Sequence, residues 1–152
     1  MFDADFRGIS GAGKVLVVED DEDVLRSLVT LLSADGHEVR AARNGPEALQ
    51  LLAADRFDAV LCDVMMPRLT GTDLLRFVRQ TDLDLPVVLM SAAPDVDSAV
   101  KAVEYGAFRY LTKPIPRKLL QEVMGRAVRL HRLAQLKREA PSRDGDSGKE
   151  SR

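Results

Sequence analysis

Phe57-Asp58-Ala59-Val60-Leu61-Cys62-Asp63-Val64-Met65-Met66-Pro67 is the stretch that decides the fold. Ala59 to Cys62 is an unbroken apolar run with no helical stripe, the mark of a strand buried on both faces of a parallel sheet. The run ends in a carboxylate, Asp63. Pro67 forbids a simple continuation, and Gly71 marks the start of a new element. An acid at the carboxyl end of a central parallel strand lies where open α/β sheets gather their chemistry. Taken alone, Asp63 fits equally well as a cap for the following turn. The ends of the other strands separate the two readings.

Toward the N-terminus, Lys14 to Val18 is a short Val/Leu-rich strand that runs straight into Glu19-Asp20-Asp21-Glu22-Asp23. Val24, Leu25, Leu28, Leu31 and Leu32 then recur at helical spacing, giving a helix to about Ala34 that Gly36 ends. Acids at a helix start cap backbone N–H groups and favour the helix dipole. That accounts for Asp21 to Asp23. It accounts less well for Glu19 and Asp20, which come at the strand end. His37 to Ala41 is a second strand of alternating polarity, hence nearer a sheet edge. Asn44 is an N-cap, with Pro46 in the first turn of a helix through Ala54.

Toward the C-terminus, Gly71 to Gln80 carries Leu74, Leu75, Phe77 and Val78 as an amphipathic helix. Pro86 opens a fourth strand, Val87 to Met90, again continuously apolar and ending at Ser91-Ala92-Ala93. Asp95 to Tyr105 is a short helix that Gly106 breaks. Ala107 to Leu111 is a fifth strand, ending in Thr112-Lys113-Pro114. A last helix begins near Pro116, turns Leu119, Leu120, Val123, Ala127 and Leu130 inward, and has the pattern to run on through Leu133 and Leu136. Strand and helix thus alternate five times. Short connections and right-handed crossovers give an α/β fold, a five-stranded doubly wound parallel sheet with helices on both faces. All strand C-termini then share one edge, and that edge collects Glu19, Asp20, Asp63, Ser91 and Lys113.

The 152 residues suit one domain, divided here into an arm (1–13), the folded domain (14–132) and a helix extension with a linker or tail (133–152). The arm and the charged Ser/Gly-rich end from Pro141 to Arg152 are expected to be disordered. With 22 basic and 24 acidic residues, the near-neutral balance argues against a dedicated nucleic-acid binder. No apolar run approaches membrane-spanning length, and the start of the chain lacks the apolar segment of a secretory signal. Cys62 is the single cysteine, so no internal disulfide forms; core filler in a reducing, cytoplasmic compartment is the expectation. Gly8-Ile9-Ser10-Gly11-Ala12-Gly13-Lys14 has the spacing of a phosphate-binding loop. Val15 stands where a metal-binding Ser or Thr is needed, and the segment precedes a strand instead of following one.

Three carboxylates packed together resist full ionisation, and a hard divalent cation removes the conflict. Magnesium takes one or two protein carboxylates, keeps waters and accepts phosphate oxygens. Lys113 adds a compact positive charge and Ser91 a hydroxyl donor. Together these groups can hold the equatorial oxygens of a phosphoryl group in transfer. Asp63 is then free to act as nucleophile through its other oxygen.

On these residues the sequence resembles the receiver domain of two-component response regulators, over about Lys14 to Arg132. Each motif is common singly. Their order at the ends of the first, third, fourth and fifth strands is specific. The resemblance implies a flavodoxin-like three-layer (βα)5 arrangement with Asp63 as phosphoacceptor. It implies Mg2+ bound by Asp63, Asp20, the backbone carbonyl of Met65 and, through water, Glu19. Ser91 would bond the phosphoryl group after activation, Lys113 would ion-pair with it, and Lys113-Pro114 would be a cis peptide. Tyr110 resembles an aromatic switch that turns inward when Ser91 moves, with the small Ala92 leaving room. The implied partners are a sensor histidine kinase or phosphotransfer protein as donor and an effector domain or downstream protein as recipient. A homodimer through the fourth helix, fifth strand and fifth helix is a further expectation. Such a domain is not a classical enzyme, although it catalyses its own phosphotransfer and autodephosphorylation.

Three rivals remain. A flavin or nucleotide carrier of similar architecture binds phosphate through a Gly- or Ser/Thr-rich first loop, whereas this loop is acidic. An Asp-nucleophile phosphatase commonly wants a second acid two residues on, where Met65 stands. A degenerate receiver used only for protein contacts would not need so complete an acidic site.

Overall fold

The computed structural model describes residues 11–139. Five strands, β1 (Lys14–Val18), β2 (Glu38–Ala42), β3 (Ala59–Asp63), β4 (Val87–Ser91) and β5 (Arg109–Thr112), alternate with five helices. The helices are α1 (Glu22–Ala34), α2 (Gly45–Ala54), α3 (Gly71–Thr81), α4 (Val96–Glu104) and α5 (Arg117–Glu139). All strand pairs are parallel, in the order β2-β1-β3-β4-β5. That is the flavodoxin-like doubly wound order, with its switch point between β1 and β3. The expected disorder of the arm's first ten residues and of the tail from Pro141 falls outside the described residues, as does part of the loop-like Gly8–Lys14 motif.

The side-chain period of two divides each central strand between two cores. Leu16, Val18, Val60, Cys62, Val87 and Leu89 meet Ala48, Leu74, Leu75, Val78 and Ala102 on the face covered by α2, α3 and α4. Val15, Val17, Ala59, Leu61, Val88 and Met90 meet Leu25, Leu28, Leu32, Leu120, Met124 and Ala127 on the face covered by α1 and α5. Burial on both faces is why β1, β3 and β4 read as continuous apolar runs. The edge strand β2 leaves Glu38, Arg40 and Ala41 exposed, which is why it alternates.

Local chemistry starts the helices where the sequence places them. The Asp21 carboxylate accepts from the N–H groups of Asp23 and Val24, and Asn44 accepts from Glu47. Thr70 and Asp73 form a reciprocal capping box, and Asp95 accepts from Ser98. Gly36 and Gly106 take φ of 96° and 81° at helix ends.

Some expectations need adjustment. β2 begins one residue later than predicted, because the His37 N–H turns back to the Leu32 carbonyl. β5 begins at Arg109, since the Ala107 N–H closes the end of α4 on the Ala102 carbonyl. Phe77 is 40% exposed, and Leu130 is exposed too, so neither belongs to the core to which helical spacing assigned it. α5 runs without a break through Leu133 and Leu136 to Glu139. No helix among the described residues is long and apolar enough to cross a membrane.

Candidate functional site

Sheet register places the polar strand ends. Val18 pairs with Cys62, Asp63 with Met90, and Ser91 with Thr112, so Glu19, Asp63, Ser91 and Lys113 emerge side by side. Backbone bonds hold the ends in place: Glu19 N–H to the Ala42 carbonyl, Val64 N–H to Met90, and Lys113 N–H to Ser91. The Lys113-Pro114 peptide is cis. Gly71 stands where it does because a side chain there has no room. A Cβ would lie 2.5 Å from the Asp63 carbonyl oxygen and 2.9 Å from Val64 Cα, both backbone atoms. The Gly71 N–H bonds the Val64 carbonyl at 3.0 Å and folds the loop back over the acid.

Lys113 Nζ lies 2.6 Å from Glu19 Oε1 and 3.0 Å from Asp63 Oδ2. Asp63 Oδ1 accepts from the Met65 N–H at 3.1 Å. Glu19 Oε2 accepts from the Asp21 N–H at 3.0 Å. Glu19 is 1% and Asp63 5% exposed, whereas Asp20 is open to solvent. One carboxylate oxygen from each of Glu19, Asp20 and Asp63 lies within 4.8 Å of the others. Burial pushes the Glu19 carboxyl above its ordinary range, and the nearby Asp63 charge adds to this against the pull of Lys113 and the Asp21 N–H. Burial works the other way on Lys113 and would lower it, but its bonds to Glu19 and Asp63 outweigh that and hold the ammonium above its usual value. Desolvation pushes the enclosed Cys62 thiol well up, so it is an inert core group beside the site.

The residues singled out from sequence do not all meet. Glu19, Asp20, Asp63 and Lys113 form one cluster. Ser91 is buried at the neighbouring strand end, its Oγ accepting from the Ala93 N–H at 3.1 Å. Met65 follows Asp63 with its side chain largely exposed. Tyr110 is half-buried on β5 and bonded through its hydroxyl to Ser98 Oγ of α4 at 2.6 Å, rather than to Ser91. Ser98 gave no signal in the sequence beyond being a helix-start serine. The same holds for Arg79, whose guanidinium donates to the carbonyls of Asp82, Leu85 and Gly106 and ties α3 to the end of α4.

A surplus of hard oxygen donors beside one ammonium, at the switch-point edge of a doubly wound sheet, defines a class of phosphoryl- and cation-handling sites. Comparison with known proteins identifies the class more closely. The family model of the response regulator receiver domain matches residues 15–124, and the chain belongs to that family, the receiver domain of two-component systems. It is 44% identical over 113 residues to the response regulator MprA of Mycolicibacterium vanbaalenii, covering 74% of this chain and 48% of the relative. It is 40% identical over 134 residues to MprA of Mycobacterium avium, covering 88% and 55%. The chain thus spans about half the length of the curated relatives it matches. Among solved structures, a receiver domain protein of Clostridium thermocellum shares 31% identity at a TM-score of 0.76, over 80% of this chain and 98% of that one. NtrX of Brucella abortus shares 31% at 0.74, over 80% of this chain and 28% of that one.

Proposed function

We propose that this chain is a phosphorylation-controlled switch with Asp63 as its acceptor. The observation that carries the reading is the cluster of Glu19, Asp20 and Asp63 at one strand edge, with the Lys113 ammonium bonded to two of them, Glu19 and Asp63. The donor set fits Mg2+, a hard ion that takes carboxylate and carbonyl oxygens and retains waters. Asp20, Asp63 and the Met65 carbonyl would hold it, with Glu19 behind them through water. When bound, it supplies charge neutralisation to phosphoryl oxygens.

The chain's own groups do the rest. Asp63 attacks the phosphorus of a phosphohistidine presented by a sensor histidine kinase or phosphotransfer protein. The new Oδ–P bond forms as the N–P bond breaks, and the imidazole nitrogen keeps the electron pair. Lys113 pairs with the transferred group, and Ser91, whose Oγ accepts from the Ala93 N–H, donates its hydroxyl proton to it. A phosphorylated side chain carries a charge of about −1.5 to −2 at neutral pH, enough to bias a two-state element.

That element is the face of α4, β5 and α5. α4 buries only Ala102, and its early turn is tied to β5 through Ser98 and Tyr110. Val96, Val100 and Val103 form an exposed apolar stripe on it. This stripe offers a surface to an effector domain, a downstream cytoplasmic protein or a second copy of the chain. The test is incubation with a small acyl phosphate and Mg2+, followed by intact mass. The parent gains one phosphoryl group and Asp63→Ala gains none; equal labelling of both refutes the reading.

A further inference from the structure

The loop from β3 to α3, residues 64–70, carries the backbone that lies against the acceptor. Its ends are fixed. The Met65 N–H bonds Asp63 Oδ1 at 3.1 Å, the Gly71 N–H bonds the Val64 carbonyl at 3.0 Å, and Thr70 belongs to the capping box of α3. Between these anchors the chain turns back on itself twice. The Met66 N–H bonds the Val64 carbonyl at 3.2 Å, and the Leu69 N–H bonds the Pro67 carbonyl at 2.8 Å. Arg68 has a φ of 70°, a left-handed conformation that a long side chain keeps only when its surroundings hold it there. Pro67 and Arg68 are themselves exposed. The hold comes from Leu69, which is half-buried against the core under α2 and α3. Its side chain rests on Gly45, the buried first residue of α2. A Cβ at Gly45 would lie 2.4 Å from both Leu69 Cβ and Leu69 Cδ2, and 2.7 Å from Cγ. Gly45 has no positive φ, so close approach is what a glycine supplies at this place.

We infer that Leu69, seated on Gly45, is a positioning residue for the acceptor site: it holds the 64–70 loop so that the Met65 peptide stays against Asp63. The inference rests on the phosphoacceptor reading above, in which the Met65 carbonyl is a ligand of Mg2+. Leu69 touches no reacting atom and acts through Met65. Asp63 itself is the last residue of β3 and is fixed by its pairing with Met90. Loosening the loop therefore leaves the acceptor in place and frees only the peptide beside it. The seat is firm, because the turn before α2 is tied to the end of β1. The Glu19 N–H bonds the Ala42 carbonyl at 3.0 Å, and Arg43 donates twice to the Glu22 carboxylate at the start of α1. A backbone dipole beside a reacting centre contributes only while it is held in position.

The test uses the full chain and the variants Leu69→Ala, Leu69→Met, Gly45→Ala and Leu52→Ala. Leu52 is the control. It is half-buried on α2 against the same core, but it lines the groove at the opposite edge of the sheet. Two readouts need no phosphodonor: hydrogen exchange of the Met65 amide relative to the β3 amides, and Mg2+ affinity by calorimetry. Leu69→Ala should speed Met65 exchange by about tenfold without metal. It should weaken Mg2+ binding by about tenfold, the size of effect found for groups that orient a ligand. Gly45→Ala, which drives Leu69 from its seat, should act in the same direction. Leu69→Met conserves volume and should restore most of the parent's behaviour. Leu52→Ala should lower the urea midpoint while leaving both readouts at the parent's values. The inference is overturned if Leu52→Ala moves Met65 exchange and Mg2+ affinity as far as Leu69→Ala does. It is overturned equally if Leu69→Ala shifts only the urea midpoint. Failure of the parent to take a phosphoryl group at Asp63 would be a separate result, seen in a separate measurement, and would count against the phosphoacceptor reading itself.

Discussion

The two edges of the sheet use the same residue types for opposite ends. At the amino edge, Asp58 accepts from the Lys14 N–H at 2.9 Å and from His131 Nδ1 at 3.1 Å, with Arg132 at 3.6 Å. Asp55 is bonded to the Lys14 ammonium, and Asp84 to Arg138 near the end of α5. Burial alone would raise the Asp58 carboxyl, yet His131, the Lys14 N–H and Arg132 together hold it below its ordinary value. Every acid here has a donor, and the result is a latch between β3, β1 and α5. At the carboxyl edge, three carboxylates crowd together and the Lys113 ammonium pairs with two of them, Glu19 and Asp63. A balanced cluster stabilises a fold, whereas an unbalanced one stores a demand for charge that a cation or a changed covalent state can meet. A groove of about 860 Å3 lies at the balanced edge, lined by Phe57, Phe77, Leu85 and His131. The surplus of carboxylates lies instead at the opposite edge, around Glu19, Asp20 and Asp63.

The contrast can be broken by substitution. Adding a methyl at Gly71 sets a Cβ 2.5 Å from Asp63 backbone, while at Gly13 the crowding atoms belong to the Asp58 and Val128 side chains. Gly71→Ala should therefore cost about 3 kcal/mol in urea unfolding, and Gly13→Ala about 1 kcal/mol. Next in size is the matched pair Asp58→Asn and Asp63→Asn. The first removes a charged acceptor from three donors and should destabilise by about 2 kcal/mol. The second relieves like-charge crowding and should raise stability by about 1 kcal/mol in metal-free buffer. Losses at both positions would erase the distinction between the edges.

Much of this was legible in the sequence, for physical reasons. Strands buried on both faces must be apolar throughout, so Val15–Val18, Ala59–Cys62 and Val87–Met90 announced a parallel sheet, and that sheet forces their ends together. The acids at those ends are read directly from the sequence. What stayed hidden depends on contacts distant along the chain. The Glu19–Lys113 bond joins residues 94 apart. The Tyr110–Ser98 bond depends on how α4 lies against β5. Phe77 and Leu130 are apolar at helical spacing yet exposed, because periodicity gives a face and not the extent of what covers it.

Smaller effects sharpen the comparison. Met65 is exposed beside Asp63, and a thioether cannot orient an attacking water as an amide can. Phosphoryl loss from the parent should be slower than from Met65→Asn, by up to about tenfold, as read by decay of the phosphorylated mass. Equal or faster loss from the parent would refute this. The smallest effect is at the amino edge. Burial holds the His37 imidazole below its ordinary value, against the charges of Asp35 and Asp58, while its Nδ1 accepts from the Gly13 N–H. The unfolded chain then takes up the proton first, so stability should fall as pH drops below about 6.5 and stay level above it. In His37→Gln the fall in the urea midpoint between about pH 7.5 and about pH 5.5 should shrink. An unchanged slope would remove His37 from the cause.

The most direct measurement is the location of the phosphoryl group. The parent is treated with an acyl phosphate and Mg2+, reduced with borohydride to trap any acyl phosphate, and mapped by peptide mass. A single reduced residue at Asp63, absent when Mg2+ is withheld, is the result that an unbalanced acidic corner built for phosphorus requires. Modification at Asp20 or at the amino edge, or none at all, would contradict it.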